Sequence, residues 1–169
     1  MNLKPNIELS LFTETPGQKT IKELYLLNEE NTPEVGSLSS FKELSNLIKI
    51  SSLNFYILKN DEIIGFVICF REKSEYQSLN YKFFSKTEDK FLYIDRVIVD
   101  KKHRRNGAAS NLYIHLSYIA KLENIPICCE VNTKPRNDIS LNFHQKHGFK
   151  IVGEKYFDDH SVVYLKKII

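Results

Sequence analysis

The sequence predicts an α/β fold in which helices flank a mixed, largely antiparallel sheet. Apolar runs at residues 55–59 and 63–70 are separated only by Asn60-Asp61-Glu62, a spacing typical of an antiparallel hairpin. An apolar run at residues 91–99 precedes a helical pattern at 107–124 and a further apolar run at 127–131. That order is typical of a crossover between parallel strands. We therefore expect the sheet to be parallel only where a helix crosses over.

The N-terminal part of the chain predicts one short strand and two helices. Residues 7–12 form the predicted strand, and Thr15-Pro16-Gly17 ends it. Residues 18–28 carry apolar side chains at helical spacing. Ser39 or Ser40 can cap a second helix. The apolar face of that helix comprises Phe41, Leu44, Leu47 and Ile48.

The rest of the chain contains a long excursion and a C-terminal helix with two strands. Residues 71–90 are polar and aromatic, and long ordered excursions in compact domains often carry function. A short helix is predicted over residues 140–147, with Gly148 as its C-cap. Residues 149–152 and 161–168 predict the last two strands, around a turn at Asp158-Asp159.

Length and composition favour one folded domain over residues 1–169. Hydrophobic residues make up 42% of the chain and charged residues 27%, which suits a folded protein with a substantial core. The net charge of +3 is too small to indicate a nucleic-acid partner. The N-terminus lacks a signal-peptide pattern, and no apolar run approaches the roughly 20 residues that span a bilayer. We therefore expect neither a nucleic-acid nor a membrane partner.

The three cysteines, Cys69, Cys128 and Cys129, lie in apolar, strand-like runs. Three cysteines cannot complete a disulfide framework, and two of these are adjacent. We interpret them as buried free thiols in a reducing compartment, which predicts a cytoplasmic protein. The sequence contains no CxxC or HxxxH spacing, so no metal site is predicted.

The turn between the predicted strand at 91–99 and the helix at 107–124 is basic and contains a glycine. Amides at the start of a helix point outward, and the helix dipole favours an anion there. Small residues at 107–110 let a ligand approach the backbone closely. The turn therefore indicates a phosphate-bearing ligand, although a solvated loop or a nucleic-acid patch would also explain the basic run at 101–105. The GxxxxGK[ST] and GxGxxG patterns of other phosphate loops do not occur.

The pattern Arg104-x-x-Gly107-x-Ala109 within this turn resembles the signature of the GNAT superfamily of N-acetyltransferases. It begins five residues after Val99, between a predicted strand and a predicted helix. In that family the turn holds the pyrophosphate of acetyl-CoA. The resemblance implies acetyl-CoA as the co-substrate, no metal, and a GNAT-like sheet in which a splayed parallel strand pair binds CoA.

A second stretch independently resembles the segment of the family that lies along its last helix. The family pattern is N-x-x-A/S-x-x-x-Y-x-x-x-G-F. This sequence has Asn137-x-x-Ser140-x-x-x-His144-x-x-x-Gly148-Phe149. The segments at residues 76–81, 91–99 and 128–132 further resemble a bacterial group of uncharacterised GNAT acetyltransferases.

The resemblance places the cofactor against one strand end, the turn that follows it and the last helix. In the family, a distortion of that strand frees backbone amides that bind the acetyl carbonyl and the pantetheine. Asn137 resembles an asparagine that contacts CoA in the family, although capping of the last helix explains it equally well. The implied cofactor-binding residues are Val97, Ile98, Val99, Arg104, Arg105, Asn106, Gly107, Ala108, Ala109, Ser110 and Asn137.

Asp95 is the first candidate for the base that deprotonates the attacking amine. Its position resembles that of a carboxylate that some members of the family use. Period-two alternation predicts Asp95, Val97 and Val99 on one face of the strand. The same alternation predicts Arg96 and Ile98 on the other face. An ion pair with an arginine or lysine is the structural alternative for Asp95.

Glu130 and His144 complete the predicted catalytic set. Glu130 lies in an apolar strand, where an unpaired carboxylate is costly, so it is either a second candidate base or a hydrogen-bond partner of the substrate or a tyrosine. His144 stands where the family commonly has a tyrosine that protonates the departing thiolate, and histidine can do this with an unperturbed pKa of about 6.5. Packing against neighbouring phenylalanines is the alternative role. Tyr113 and Tyr118, on the preceding helix, are expected in the core.

The acceptor site is expected between the N-terminal helices and the excursion at residues 71–90. The side chains of that excursion suit an aromatic, hydrogen-bonding wall. A packed dimer arm or a satellite core would use the same residues. The predicted substrate-binding residues are Asn28, Tyr76, Asn80 and Tyr81.

These features predict direct transfer of an acetyl group from acetyl-CoA to a primary amine of a small molecule or peptide. The alternative is a non-catalytic acyl-CoA-binding sensor or scaffold module. The need for a base depends on the amine, since neutralisation near pH 7 costs about 4.6 kcal/mol for a lysine-like amine and about 1.4 kcal/mol for an α-amino group. A homodimer is common in the family, and the sequence leaves the assembly state open.

Overall fold

The structure is a computed structural model and describes residues 6–169. Seven strands and five α-helices lie within those residues. In chain order they are β1 (Ile7–Leu11), α1 (Gln18–Glu29), α2 (Phe41–Ile50), β2 (Leu53–Lys59), β3 (Glu62–Arg71), α3 (Leu79–Thr87), β4 (Leu92–Val99), α4 (Ala108–Glu123), β5 (Ile127–Lys134), α5 (Asp138–Lys146), β6 (Lys150–Tyr156) and β7 (Ser161–Lys167). A 3₁₀ turn at Lys101–His103 follows β4.

The seven strands form one sheet in the order β1-β2-β3-β4-β5-β7-β6. Neighbouring strands are antiparallel except β4 and β5, which are parallel because α4 crosses over between them. The hairpin predicted from Asn60-Asp61-Glu62 is β2–β3, in which Lys59 pairs with Glu62. The predicted α/β class, with a largely antiparallel sheet flanked by helices, is confirmed.

The parallel strands β4 and β5 separate soon after they begin. Their ladder consists of the pairs Leu92–Ile127 and Tyr93–Cys128. Beyond Tyr93 the two strands keep their outer partners, β3 and β7, but no longer pair with each other. A gap therefore opens in the middle of the sheet toward the ends of both strands, as expected for a splayed pair.

Two apolar cores cover the two faces of the sheet. The core under α4 and α5 includes Leu92, Ile94, Leu112 and Leu116. The core under α1, α2 and α3 includes Leu24, Leu44, Phe84, Tyr93 and Ile98. The gap between β4 and β5 thus lies between two sets of helices and connects the two sides of the sheet.

A β-bulge in β4 changes the faces to which its side chains point. Ile94 and Arg96 pair with consecutive residues of β3, so Asp95 is an extra residue between them. Val97 and Val99 therefore pack in the same core as Ile94, while Asp95 and Arg96 both bond to groups on the opposite face. The predicted alternation, which placed Asp95 with Val97 and Val99, is wrong. An inserted residue breaks the period of two on which that prediction depended.

Helix α3 lies within the excursion at residues 71–90, for which no helix was predicted. The side chain of Ser78 caps it by accepting a hydrogen bond from the Tyr81 amide. The helix buries Tyr81 and Phe84. Two buried positions in a nine-residue helix give a periodic pattern too short to identify. This helix carries Asn80 to the edge of the gap.

Two predicted helix ends are confirmed. Ser40 caps α2, since its Oγ accepts a 3.3 Å hydrogen bond from the Glu43 amide. Gly148 follows α5 with φ +86°, in the left-handed region that glycine adopts without a steric penalty. Both signals are local, which is why the sequence predicts them directly.

Neither a membrane-spanning helix nor a metal cluster occurs in the part of the chain that the structure describes. None of its helices has the length and apolar character that a bilayer crossing requires. No group of three or more His, Cys, Asp or Glu side chains there is arranged to hold a metal ion.

Candidate active site

A cleft of about 540 Å³ occupies the gap between β4 and β5. Its volume lies in the range of small-ligand sites, which is about 300–1,000 Å³. One wall is the segment between α1 and α2, residues 30–40, here called the α1–α2 loop. From there the cleft reaches α4 and α5. Residues lining it include Asn80, Asp95, Arg96 and Glu130, and also Ile94, Val97, Tyr113 and His144.

The turn after β4 has the conformation that an anion site at a helix start requires. Gly107 takes φ +81° immediately before α4, and Arg105 takes φ +62°. Among the described residues, no side chain caps the start of α4, so its first amides are available to a ligand. Arg105 and Asn106 are exposed, whereas Ala108 is buried under the helix. These features fit the pyrophosphate of acetyl-CoA.

Arg104, in the same turn, bonds through its side chain to other parts of the protein. Its Nε donates a 3.2 Å hydrogen bond to the Val99 carbonyl oxygen, at the end of β4. Its guanidinium also donates to Oδ1 of Asn31 in the α1–α2 loop. The side chain therefore bridges the end of β4 and the α1–α2 loop.

The end of β4 has one unpaired backbone edge. Val97, Ile98 and Val99 pair with β3, and in the described residues the β4–β5 ladder does not extend to them. In an antiparallel pair, successive residues direct their N–H and C=O groups alternately toward the two edges of the strand. Some backbone groups of this segment therefore face the gap. Such an edge can bind an extended ligand through main-chain hydrogen bonds.

Glu130 lies on β5 beside the gap and is half-buried. The Tyr93 hydroxyl donates a 2.6 Å hydrogen bond to its Oε2, and the Asn80 side-chain amide donates a 3.1 Å hydrogen bond to its Oε1. Burial raises the pKa of Glu130 to about 8, although these two hydrogen bonds lower it. A carboxylate with a pKa near neutral pH is suited to proton transfer.

The amide of Asn80 is itself held in place. The Tyr164 hydroxyl, on β7, donates a 3.1 Å hydrogen bond to Asn80 Oδ1. Because Oδ1 accepts this hydrogen bond, Nδ2 is the atom directed at Glu130. A hydrogen-bond chain from β7 through α3 to β5 thus orients the carboxylate.

Asp95 is part of a buried ion pair. Its Oδ2 accepts a 2.7 Å hydrogen bond from Arg96 Nε, and its Oδ1 accepts a 2.6 Å hydrogen bond from the Tyr76 hydroxyl. The side chains of Arg96 and Asp95 are 6% and 5% exposed. Burial and the nearby Asp95 raise the pKa of Tyr76, so this hydroxyl keeps its proton. Asp95 therefore has the geometry of the ion-pair alternative.

The four predicted acceptor residues take different positions. Asn80 lines the cleft. Asn28 is fully buried and accepts a 2.8 Å hydrogen bond from Arg96, and the Tyr76 hydroxyl bonds to Asp95. Neither residue is among those that line the cleft. Tyr81 is 2% exposed and bonds to the main chain at the end of β3. The placement of Asn80 alone among the four fits direct contact with an acceptor.

His144 is buried and paired with Tyr113. Its Nδ1 lies 2.8 Å from the Ser140 carbonyl oxygen, an acceptor only, so Nδ1 carries a hydrogen. Its Nε2 lies 2.8 Å from the Tyr113 hydroxyl. Burial lowers the pKa of His144 and so favours the neutral ring, in which Nε2 accepts from Tyr113. Tyr113, expected only in the core, is a cleft residue that the sequence did not identify.

Asn137 and Ser110 occupy the ends of two helices on the same side of the sheet. Asn137 caps α5, because its Oδ1 accepts a 3.1 Å hydrogen bond from the Ser140 amide. Ser110 lies in the first turn of α4, and its hydroxyl is 3.3 Å from Nε2 of His147 at the end of α5. The capping explanation for Asn137 therefore holds, and contact with CoA stays a prediction.

Comparison with known protein families gives one match that covers most of the chain. The model described as the acetyltransferase (GNAT) family matches residues 21–149. That range includes β4, the turn after it, α4, β5 and α5. No curated protein matches the chain.

Solved structures with the same fold include enzymes with bound CoA derivatives. Arabidopsis thaliana Naa50, in complex with the bisubstrate analogue CoA-Ac-MVNAL, is 22% identical with a TM-score of 0.69, over 95% of this chain and 99% of that one. Ard1 from Thermoplasma volcanium is 19% identical with a TM-score of 0.71, over 96% and 97% of the two chains. A GNAT family acetyltransferase from Elizabethkingia anophelis with acetyl-CoA bound is 15% identical with a TM-score of 0.64, over 97% and 99%.

Proposed function

The chain belongs to the GNAT acetyltransferase family, and on that premise we propose that it acetylates an α-amino group with Glu130 as the base. It is an N-acetyltransferase that uses acetyl-CoA as co-substrate. The proposal adds the kind of amine and the residue that takes its proton. The observation that carries it is the position of Glu130, a carboxyl group with a pKa of about 8 beside the gap between β4 and β5.

The pKa of Glu130 matches one class of amine better than the other. An α-amino group has a pKa of about 8, so proton transfer from it to Glu130 is close to thermoneutral. A lysine side chain has a pKa of about 10.4, and the same transfer is then uphill by about 3 kcal/mol. Glu130 itself is partly ionised near pH 7, so some of the anion that accepts the proton is present there. These values favour an α-amino acceptor.

The residues around the gap divide the reaction between them. The free amides at the start of α4 bind the pyrophosphate of acetyl-CoA, and the unpaired edge of β4 at Val97–Val99 binds its pantetheine and acetyl carbonyl. Glu130 accepts the proton of the amine as the nitrogen–carbon bond forms. The carbon–sulfur bond then breaks, and the electron pair leaves with the CoA thiolate. No covalent enzyme intermediate is needed.

Tyr113 and His144 are assigned to the departing thiolate. A thiol pKa of about 8.5 makes the thiolate a tolerable leaving group near neutral pH, so modest help is sufficient. His144 accepts from the Tyr113 hydroxyl in the absence of a thiolate. We infer that this hydroxyl turns to donate to the sulfur anion as it forms, with His144 as the group that positions it.

The segments that line the cleft support a peptide as acceptor. The α1–α2 loop and the turn between β6 and β7 both line it, through residues that include Val35, Gly36, Asp159 and His160. Structures of the same fold include the bisubstrate complex of Naa50 and a NatC complex bound to Gag peptide and CoA. A free amino acid or another small molecule with an α-amino group fits the same chemistry.

An acceptor screen tests the proposal. Peptides with free N-termini of different sequence are compared with N-terminally blocked peptides that carry one lysine, and released CoA thiol is measured. We expect the free α-amines to react at least about 100-fold faster, which corresponds to the 3 kcal/mol difference in proton transfer. Faster acetylation of the blocked lysine peptides would overturn the assignment of an α-amino acceptor.

The remaining expectations stay predictions. A non-catalytic CoA-binding module would bind CoA and release no thiol with any amine, and no comparison supports that alternative. The three cysteines are buried and free, which supports a reducing compartment such as the cytoplasm. The homodimer, a small-molecule acceptor and the exclusion of nucleic acid await direct tests.

A further inference from the structure

Two arginine–asparagine pairs hold the end of α1 against β4 and the turn that follows it. Arg96, at the bulge, donates a 2.8 Å hydrogen bond to Asn28 Oδ1. Arg104, beyond the end of β4, donates to Asn31 Oδ1. Both asparagines are almost completely buried, at 0% and 2% exposure. The two arginines stand near the two ends of the strand segment along which acetyl-CoA is proposed to lie.

Asn31 determines the start of the α1–α2 loop. Its side-chain amide donates a 2.7 Å hydrogen bond to the Leu27 carbonyl oxygen, in the last turn of α1. The main-chain carbonyl oxygen of Asn31 accepts a 3.2 Å hydrogen bond from the Val35 main-chain amide, across the loop. Residues 32–37 of this loop line the cleft. A group that holds Asn31 therefore also positions one wall of the proposed acceptor site.

Arg104 connects this wall to the cofactor turn. Its Nε is bound to the Val99 carbonyl oxygen, so the guanidinium spans β4 and the loop. The other arginine, Arg96, extends from the bulge, and the buried carboxylate of Asp95 neutralises its charge. Fixing the backbone of the turn at residues 104–110 constrains the guanidinium of Arg104, and through it Asn31.

We propose that Arg104 is a positioning residue that couples acetyl-CoA bound at the turn to the order of the α1–α2 loop, so that the cofactor improves acceptor binding. The proposal rests on the proposed function, because it takes the turn as the pyrophosphate site. Coupling between two sites is reciprocal, so a bound acceptor also strengthens cofactor binding. Arg104 then serves as a two-point link rather than as a positive charge for the phosphates.

Arg105 provides a matched comparison in the same turn. It is exposed, and among the described residues its side chain makes no hydrogen bond or ion pair. An arginine in this state is available to an anion at the start of α4. Replacing it by methionine is expected to weaken CoA binding while leaving the link between Arg104 and Asn31 in place.

Hydrogen exchange of residues 30–37, with CoA as the probe, tests the coupling without any acceptor. The proteins compared are wild type, Arg104→Lys and Arg105→Met, each checked by thermal unfolding and each at saturating CoA as determined by calorimetry. Lysine keeps the charge but lacks the planar group that reaches two acceptors. Wild type and Arg105→Met are expected to exchange at least about fivefold more slowly in this segment when CoA is bound.

Arg104→Lys is expected to keep the CoA affinity of the wild type within about twofold and to lose the CoA-dependent protection of the loop. Equal protection in Arg104→Lys and wild type would overturn the proposal, as would a wild-type loop that does not respond to CoA. The absence of acetyl transfer to any amine would instead refute the proposed function, and it would leave the exchange result unaffected.

Discussion

The Tyr93 hydroxyl donates a 2.6 Å hydrogen bond to Oε2 of Glu130, across the point where β4 and β5 begin to separate. Tyr93 belongs to the last residue pair of the parallel ladder, and Glu130 lies two residues beyond its end. The ladder therefore fixes the tyrosine, and the tyrosine fixes the carboxylate at the edge of the gap. Burial and this hydrogen bond act on the pKa of Glu130 in opposite directions.

Tyr93→Phe is expected to raise the pKa of Glu130 further, because it removes a donor that stabilises the carboxylate anion. A hydrogen bond to a charged group contributes about 1.5–3 kcal/mol, so the shift is about one pH unit or more. The acidic side of the pH profile of kcat/KM then moves to higher pH. Tyr81→Phe is the control, since Tyr81 bonds to the main chain of β3. A profile that moves equally in both variants would refute this link.

Asp95→Asn is expected to destabilise the fold far more than Asp138→Asn. Both carboxylates lie 2.7 Å from an arginine Nε, but the Asp95–Arg96 pair is buried and the Asp138–Arg136 pair is about 65% exposed. Breaking a buried pair leaves Arg96 without its partner and costs about 3–5 kcal/mol, against about 1 kcal/mol or less at the surface. Urea unfolding measures both. Similar losses of unfolding free energy in the two variants would show that Asp95 is not structurally required.

Gly107→Val is expected to weaken CoA binding at least about tenfold, because a β-branched residue resists a positive φ and so distorts the turn before α4. Gly17→Val provides the control at the start of α1. A Cβ at either glycine would have no neighbour within 4 Å, but Gly17 has φ −57° and Gly107 has φ +81°. Calorimetry with CoA measures the difference. Unchanged affinity in Gly107→Val would exclude the turn as the pyrophosphate site.

Tyr113→Phe is expected to lower kcat by about 10- to 100-fold, the loss of one hydrogen bond to a developing anion. CoA affinity should stay near the wild-type value, because the effect arises as the thiolate forms. Tyr118→Phe is the matched control on α4, where this tyrosine is 60% exposed. His144→Phe should reproduce part of the loss by releasing Tyr113. Full turnover in both Tyr113→Phe and His144→Phe would place the acid elsewhere.

Local signals account for the parts of the structure that were predicted from the sequence. Gly148 marks a helix end with a positive φ angle, and Ser40 marks a helix start, because each of these depends on a few neighbouring residues. The hairpin and the β4–α4–β5 crossover likewise follow from the order of apolar runs. The turn predicted as a phosphate site lies at the start of α4, as its sequence indicates.

Contacts between distant residues account for the parts that were not predicted. Arg96 and Asn28 are 68 residues apart, and Asn80 and Glu130 are 50 apart. The bulge at Asp95 depends on how β4 pairs with β3, so no pattern within β4 reveals it. Tyr113 has the spacing of a core residue. Its assigned role as a proton donor depends on the His144 ring, which α5 places beside it.

The pH dependence of kcat/KM for wild type and Glu130→Gln tests the central claim most directly. With a peptide α-amine as acceptor, the wild type should gain activity as the pH rises through about 8, where Glu130 becomes the anion that accepts the proton. Glu130→Gln should lose this ionisation and at least about 100-fold in rate. Any pH dependence of kcat/KM that remains in Glu130→Gln then reflects ionisation of the acceptor amine. A variant with the wild-type rate and profile would contradict the assignment of Glu130 as the base.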